Sequence, residues 1–192
     1  PKLKGKVCSR PGSHVYNRAL MASIIAAKGL GDAEKWAKGL VSNLAKRPQG
    51  NDRSQLKSIY SGECDVAIIN HYYYGKLTYS KNPDHRKWAK ASIIVFPNQG
   101  PSDRGAHVNI SGGGVVKFSK NKELATKFLE FLVSEQAQIL YGDVNFEYPI
   151  NNKSKLPKRL KALGTFKEDS LLIEDIAKLA PKAQEIIDTV YW

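Results

Sequence analysis

Residues 64–74 read CDVAIINHYYY, a run of apolar residues that ends in three consecutive tyrosines. Five of the seven residues from Cys64 to Asn70 are apolar, several are β-branched, and a Ser-Gly-Glu turn precedes them. This pattern predicts a buried β-strand. The tyrosines therefore follow the carboxyl end of a core strand, which is the edge at which open α/β sheets bind ligands. Phenol groups at that edge either coordinate a hard cation, stack on a ring or cap the core, and their position alone does not decide among these.

Helix patterns alternate with further strand patterns along the rest of the chain. Strands separated by helices indicate a parallel sheet covered by helices, which is an α/β fold. The further strands expected from apolar patterning are residues 7–10, 92–96, 107–110 and 115–116, and helices are expected to begin near Asn17, Asp32, Ser54, Asn121, Ser170 and Pro181.

The composition is typical of a soluble globular protein with a basic surface. The chain has 192 residues, 42% of them hydrophobic, which suits one domain or two small lobes. No apolar run approaches the roughly 18 residues that span a bilayer, so we do not expect a membrane-spanning protein. The net charge of +12 is spread along the chain without interleaved aromatic residues, which favours a solvated surface over a nucleic-acid site.

A second tyrosine-bearing segment is expected at the same sheet edge. Tyr16 follows the predicted strand at residues 7–10 and precedes a helix. If the two strands are parallel neighbours, the phenols of Tyr16, Tyr72 and Tyr73 converge. Adjacent residues of a regular strand point to opposite faces. We therefore place Tyr72 and Tyr73 in a turn beyond the strand, where they share one target.

The chemistry of phenol groups favours a hard trivalent cation if these tyrosines bind metal. Phenolate is a hard oxygen donor, and a free tyrosine with a pKa near 10 gives up its proton reluctantly to a divalent ion. Three phenolates neutralise a 3+ charge, which makes Fe³⁺ the candidate. Aromatic packing at a sheet edge is the more common alternative. His14 and His71 flank the tyrosines, either as ligands or as hydrogen-bonding residues.

The two cysteines, Cys8 and Cys64, each lie at or near a predicted strand. They form no CxxC pair, so a zinc or thioredoxin-type site is poorly supported. Neighbouring strands would bring them together, as a disulfide in an oxidising compartment or as inert core thiols elsewhere. No arrangement of Ser, His and Asp or of Cys and His favours nucleophilic catalysis, so we do not expect an enzyme.

The chain resembles a known protein family in five segments, which follow one another in the family's order. It resembles the bacterial periplasmic ferric-iron-binding proteins, the substrate-binding components of iron(III) ABC transporters, including the cyanobacterial iron-deficiency-induced branch. The resemblance covers most of the chain and is weaker after residue 155. The segments are VCSRPGSHVYNRAL at 7–20, residues 33–77 from AEKW to YYYGKL, FPNQ at 96–99, HVNISGGGVVKFSKNKELATKFLEFLVSEQAQ at 107–138 and FEYPIN at 146–151.

The resemblance implies a two-lobed, type II periplasmic-binding-protein fold with most of the first lobe missing from this chain. Members of the family begin with a segment that builds most of that lobe and supplies a further ligand. Here the chain begins at Pro1 with no signal-peptide pattern, as a processed product or a piece of a longer protein would. Residues 1–102 would form the second lobe, 103–153 the returning part of the first, and 154–192 helices packing back on the second.

The resemblance also implies roles for individual residues. Tyr16, Tyr72 and Tyr73 match the family's tyrosine ligands to Fe³⁺, and Tyr74 falls outside that set as a packing residue. Arg10 and Lys76 would lie behind the ligands, where they bind the phenolates or hold an accessory anion.

The implied function is that of an extracytoplasmic binding protein that captures Fe³⁺ and delivers it to an iron(III) ABC permease in the inner membrane. The expected location is the periplasm, or the thylakoid lumen or a membrane-associated position in a cyanobacterium. An N-terminal segment of the same protein is a further expected partner. Two alternatives are a protein of the same fold that binds a small anion or polyamine through groups such as Arg10, and a structural or protective protein that docks on another complex through its basic surface.

Overall fold

A computed structural model describes residues 2–192, and it divides the chain into two compact units. The first unit contains the residues up to 109 together with 166–192, and the second contains 110–165. The expected lobe boundaries, after residues 102 and 153, stay a prediction. The elements in chain order are β1 Val7–Ser9, α1 Val15–Ser42, α2 Asp52–Tyr60, β2 Val66–Ile68, α3 His71–Thr78, α4 Pro83–Lys90, α5 Lys122–Leu132, α6 Glu135–Val144, α7 Lys158–Lys161, α8 Ile173–Lys178 and α9 Ala180–Val190.

Strands β1 and β2 are parallel neighbours in the first unit. Their register pairs Val7 with Val66 and Ser9 with Ile68. A disulfide joins Cys8, within β1, to Cys64, just ahead of β2. The two strands therefore end at one edge, as the sequence pattern predicted. The expected strand at 64–70 is shorter and less buried than predicted, because β2 has three residues and its first is 40% exposed.

Helix α1 is one helical run with a break at Gly29. The two helices expected from Asn17 and from Asp32 follow each other directly, and Gly29 between them has a φ of +76°. A positive φ suits glycine because it lacks a Cβ atom. At the other end, the side chain of His14 caps the helix by accepting a hydrogen bond from the backbone N–H of Tyr16 at 3.3 Å. Tyr16 thus lies in the first turn of α1.

The main core of the first unit packs α1 against α8, α9 and the C-terminal Trp192. The indole nitrogen of Trp192 donates a hydrogen bond to Ser9 Oγ at 3.0 Å, so this tryptophan contacts the end of β1. The indole ring also leaves no room for a side chain at Gly12. A second small core joins α2, α3 and α4 through Leu56, Leu77 and Ala89.

Residues 92–96, 107–110 and 115–116 do not form the strands expected from their apolar patterning. Ile93 is 83% exposed and Val95 is 73% exposed. A strand satisfies its backbone N–H and C=O groups by pairing with a neighbour, and within residues 2–192 no strand pairs with these segments. Nearby, Ala106 forms an isolated parallel bridge with Glu168.

The second unit contains helices α5, α6 and α7. The single helix expected after Asn121 is divided in two, because Ser134 caps a new helix by accepting a hydrogen bond from Ala137 N at 3.3 Å. Helix α5 has no buried residue, and its apolar residues Leu124, Phe128 and Phe131 are exposed. The amphipathic pattern predicted helical structure here correctly, but the apolar face of α5 is exposed.

Candidate metal-binding site

Tyr72 and Tyr73 lie in the first turn of helix α3, which begins at His71 directly after β2. The two tyrosines lie beyond the strand as predicted, but in the first turn of a helix and not in a turn. In a helix, successive residues are about 100° apart rather than on opposite faces. Both rings therefore turn toward one side, with their centroids 4.4 Å apart.

The phenol of Tyr16 meets that of Tyr72. The Tyr72 hydroxyl donates a hydrogen bond to the Tyr16 hydroxyl at 2.9 Å, across 56 positions of sequence. The parallel pairing of β1 and β2 explains this contact, because α1 and α3 both begin at the edge where the two strands end. The structure thus brings together the three tyrosines named from the sequence, each of them partly buried.

The environment of Tyr72 holds its phenol in the neutral form. Burial raises the pKa of Tyr72 above its usual value, and the hydrogen bond with Tyr16 raises this pKa further. The side-chain amide of Asn70, 3.5 Å from the Tyr72 hydroxyl, acts in the opposite direction. A cation bound here would have to displace this proton, which a strongly charged ion does best.

Three cationic side chains lie over the tyrosine rings. The Arg10 guanidinium is 5.2 Å from the ring centroid of Tyr16, and the Lys76 ammonium is 5.3 Å from that of Tyr72. Arg53, which the sequence analysis did not single out, lies 4.9 Å from the centroid of the Tyr73 ring. A cation over a ring face is attracted by the π electrons of the ring, so each of these contacts holds a positive charge close to a tyrosine.

Arg10 is bound by a carboxylate that the sequence analysis also missed. Its Nη1 lies 2.5 Å from Oδ2 of Asp52, the first residue of α2, and both side chains are largely buried. A polar loop turning into a helix at residues 47–52 was the only local signal for Asp52. Its pairing with Arg10 is a contact between distant segments, so no local pattern could reveal it.

The two histidines and Tyr74 have other contacts. His14 packs edge-on against the Tyr16 ring at 4.5 Å between centroids, and its Nδ1 accepts the backbone N–H of Tyr16. Burial, followed by the charge of Arg10, lowers the pKa of His14. His71 contacts the rings of Tyr72 and Phe96. Tyr74 packs on the small core and donates its hydroxyl to Ser92 O at 3.3 Å.

The donor set at this site consists of phenol oxygens. Within residues 2–192, no group of three or more His, Cys, Asp or Glu side chains is arranged to hold a metal ion. The same part of the chain contains no helix with the length and hydrophobicity needed to cross a bilayer.

The chain belongs to a known class of binding proteins. Residues 16–139 match the family of bacterial extracellular solute-binding proteins, and the chain belongs to that family. Within it, the chain is similar to ferric-iron-binding proteins, which confirms the resemblance. It is 42% identical over its whole length to Iron uptake protein A1 of Synechocystis, covering 53% of that protein. It is 32% identical to the Major ferric iron-binding protein of Neisseria meningitidis, over 79% of this chain and 43% of that protein.

Solved structures agree with this assignment. FutA2 of Synechocystis in its apo form is 39% identical with a TM-score of 0.93, and all of this chain covers 61% of it. The Trichodesmium protein solved in complex with iron and citrate is 44% identical with a TM-score of 0.93, and all of this chain covers 60% of it. The predicted α/β periplasmic-binding-protein fold is therefore confirmed. The chain spans about half the length of the curated relatives it matches, which are solute-binding proteins and not enzymes.

Proposed function

We propose that this chain captures Fe³⁺ through the phenolate oxygens of Tyr16, Tyr72 and Tyr73. The observation that carries the proposal is the 2.9 Å contact between the hydroxyls of Tyr16 and Tyr72, with the Tyr73 ring tilted against that of Tyr72 at 4.4 Å between centroids. The printed names of the relatives, which are iron uptake and ferric-iron-binding proteins, support the same ion.

The physical argument is one of charge and hardness. A trivalent ion replaces three phenolic protons, and the resulting phenolates balance its charge in a partly buried site. The hydrogen bond between Tyr72 and Tyr16 is lost on binding, and both oxygens become available to the ion. Arg10, Lys76 and Arg53 then stabilise phenolate through their positive charge. Other positions around the ion belong to water, an accessory anion or a further side chain.

Delivery to an iron(III) ABC permease in the inner membrane completes the proposal. The family is one of bacterial extracellular proteins, so the chain acts outside the cytoplasm. The disulfide between Cys8 and Cys64 is consistent with an oxidising compartment. We place the protein in the periplasm, with the thylakoid lumen as the alternative in a cyanobacterium. In the proposed lobe assignment, residues 1–102 carry the tyrosines in the second lobe.

A small anion is a weaker candidate for the ligand than Fe³⁺. Arg10 was the group expected to recognise an anion, and its guanidinium is already paired with the buried carboxylate of Asp52. An anion arriving at Arg10 would meet that negative charge at close range.

Titration with ferric citrate tests the proposed function directly. Phenolate-to-iron charge transfer should produce a visible absorption band in the wild-type chain. The band should weaken and move in Tyr72→Phe and in Tyr73→Phe. It should be unchanged in Tyr191→Phe, which removes a phenol that is 86% exposed and remote in sequence from the site. A band that is absent from the wild type, or identical in all four proteins, would reject tyrosine ligation.

A further inference from the structure

We infer that Asp52 is a positioning residue that sets the distance between the phenols of Tyr16 and Tyr72. This inference rests on the proposed function for its biological meaning, although the geometry stands by itself. Asp52 contacts neither phenol. It acts through two neighbours, one on each of the segments that carry these tyrosines.

The first neighbour is Arg10, on the segment that carries Tyr16. Oδ2 of Asp52 binds the Arg10 guanidinium at 2.5 Å, and this guanidinium lies over the Tyr16 ring. The Arg10 segment is also fixed to helix α1, because the side-chain amide of the buried Asn17 donates to the Arg10 carbonyl at 3.0 Å. Asp52 therefore fixes the guanidinium against the Tyr16 ring, and it holds the chain directly after β1 in place.

The second neighbour is the backbone of Asn70, on the segment that carries Tyr72. Oδ1 of Asp52 accepts the N–H of Asn70 at 2.8 Å. Asn70 is the residue that precedes α3, so this bond fixes where the helix begins. The side chain of Asn70 also approaches the Tyr72 hydroxyl at 3.5 Å. One carboxylate thus uses its two oxygens to join the two segments whose tyrosines meet.

The burial of Asp52 makes this connection rigid. Asp52 is 1% exposed, and the Arg10 side chain is 11% exposed. A buried charge is held only where it is paired and hydrogen-bonded, so neither partner can swing into solvent. The position of Asp52 at the start of α2 adds the favourable end of the helix dipole. An ordinary surface ion pair would leave both side chains mobile.

The matched comparison is with an exposed ion pair at the other end of the two strands, where Lys6 precedes β1 and Asp65 precedes β2. Lys6 and Asp65 are also 2.5 Å apart, but the Asp65 side chain is 56% exposed. Asp65→Asn therefore makes the same chemical change without affecting the site. Asp52→Asn keeps an oxygen for the Asn70 N–H but loses the charge that holds Arg10. Arg10→Lys keeps a cation against Asp52, so it retains the fold, but it loses the planar group over Tyr16.

Three measurements test the inference. The first is a crystal structure of each iron-free variant, in which the hydrogen bond between the Tyr16 and Tyr72 hydroxyls should be lost in Asp52→Asn and in Arg10→Lys but kept in Asp65→Asn. The second is the release of iron to a competing chelator, which should be about tenfold faster or more in the two site variants, the usual effect of residues that orient ligands. The charge-transfer band should move in the same two variants.

The outcomes separate this inference from the proposed function. If the wild-type chain shows no charge-transfer band, the proposed function fails, and the iron-free structures still decide the role of Asp52. If Asp52→Asn and Arg10→Lys keep the tyrosine contact and release iron at the wild-type rate, Asp52 contributes only stability and the inference is overturned. Should Asp52→Asn fail to fold, unchanged behaviour of Arg10→Lys alone overturns it.

Discussion

The Tyr72 hydroxyl lies 2.9 Å from the Tyr16 hydroxyl, at the point where two helices begin beside the ends of two parallel strands. Neither phenol would reach the other if the strands were antiparallel, because their exits would then lie at opposite edges. Three connections support this arrangement within the first unit: the strand pairing, the disulfide from Cys8 in β1 to Cys64, and the carboxylate of Asp52 beyond the strand ends.

Tyr16→Phe should weaken Fe³⁺ binding by at least about tenfold, because it removes one of three charged donors. The measurement is competition with citrate for Fe³⁺, monitored by the absorbance of the charge-transfer band. Tyr74→Phe is the control, since the Tyr74 hydroxyl donates to Ser92 O and its ring packs on the small core. Equal iron retention by the two variants would contradict the assignment of Tyr16 as a ligand and Tyr74 as a packing residue.

The sequence predicted that the tyrosines lie together, but it missed several of the elements around them. The strand end before Tyr72 follows from local apolar patterning, and Tyr16 follows from the rule that parallel strands end together. The start of α3 was missed because tyrosine has only modest helix propensity, so this helix depends on packing of Leu77 against α2 and α4.

Two other failures have a different physical origin. Residues 92–96 have the composition of a strand, but a strand also needs a partner, and none pairs with it in the part of the chain that the structure describes. Asp52 and Arg53 act through contacts with residues more than 15 positions away, at Arg10, Asn70 and Tyr73. Single-sequence patterns are local and carry no information on such pairs.

Replacing Cys8 and Cys64 together by Ala should lower the free energy of unfolding by roughly 2–4 kcal/mol. The disulfide closes a separation of 56 residues, for which the loss of chain entropy in the unfolded state predicts about 4 kcal/mol. Urea unfolding of the oxidised wild type and of the variant measures the difference. A change of less than about 0.5 kcal/mol would show that the β1–β2 pair is held by other contacts.

Gly105→Ala should destabilise the first unit by more than about 1 kcal/mol, because the residue has a positive φ that alanine does not tolerate. Its φ is +93°, and a Cβ atom here would overlap the backbone carbonyl of Glu168, the residue whose segment pairs with Ala106. Thermal unfolding measures the effect, and Gly114→Ala is the control because open space surrounds that position. Equal melting temperatures would contradict the close approach of these two segments.

The stability of the protein should fall as the pH drops from about 6.5 to about 4, partly because of His107. Burial, followed by the charge of Arg104, lowers the pKa of His107 from 6.5 to about 4, and the charge of Asp169 opposes this shift. In this pH range His107 is protonated in the unfolded chain but neutral in the folded chain, so lowering the pH favours unfolding. The full difference corresponds to about 3 kcal/mol.

His107→Gln should remove this part of the pH dependence. Nδ1 of His107 is buried without a hydrogen-bond partner. Replacing the ring by glutamine therefore breaks no hydrogen bond at this atom. Unfolding free energies measured in urea at neutral pH and near about pH 4.5 should differ by roughly 2 kcal/mol less in the variant than in the wild type. His85→Gln, at a ring that contacts Ser80 and Trp88, controls for loss of an imidazole elsewhere. If His107→Gln retains the wild-type slope, other groups cause the loss of stability in acid, and the ion pair of Arg104 with Asp169 becomes the first to examine.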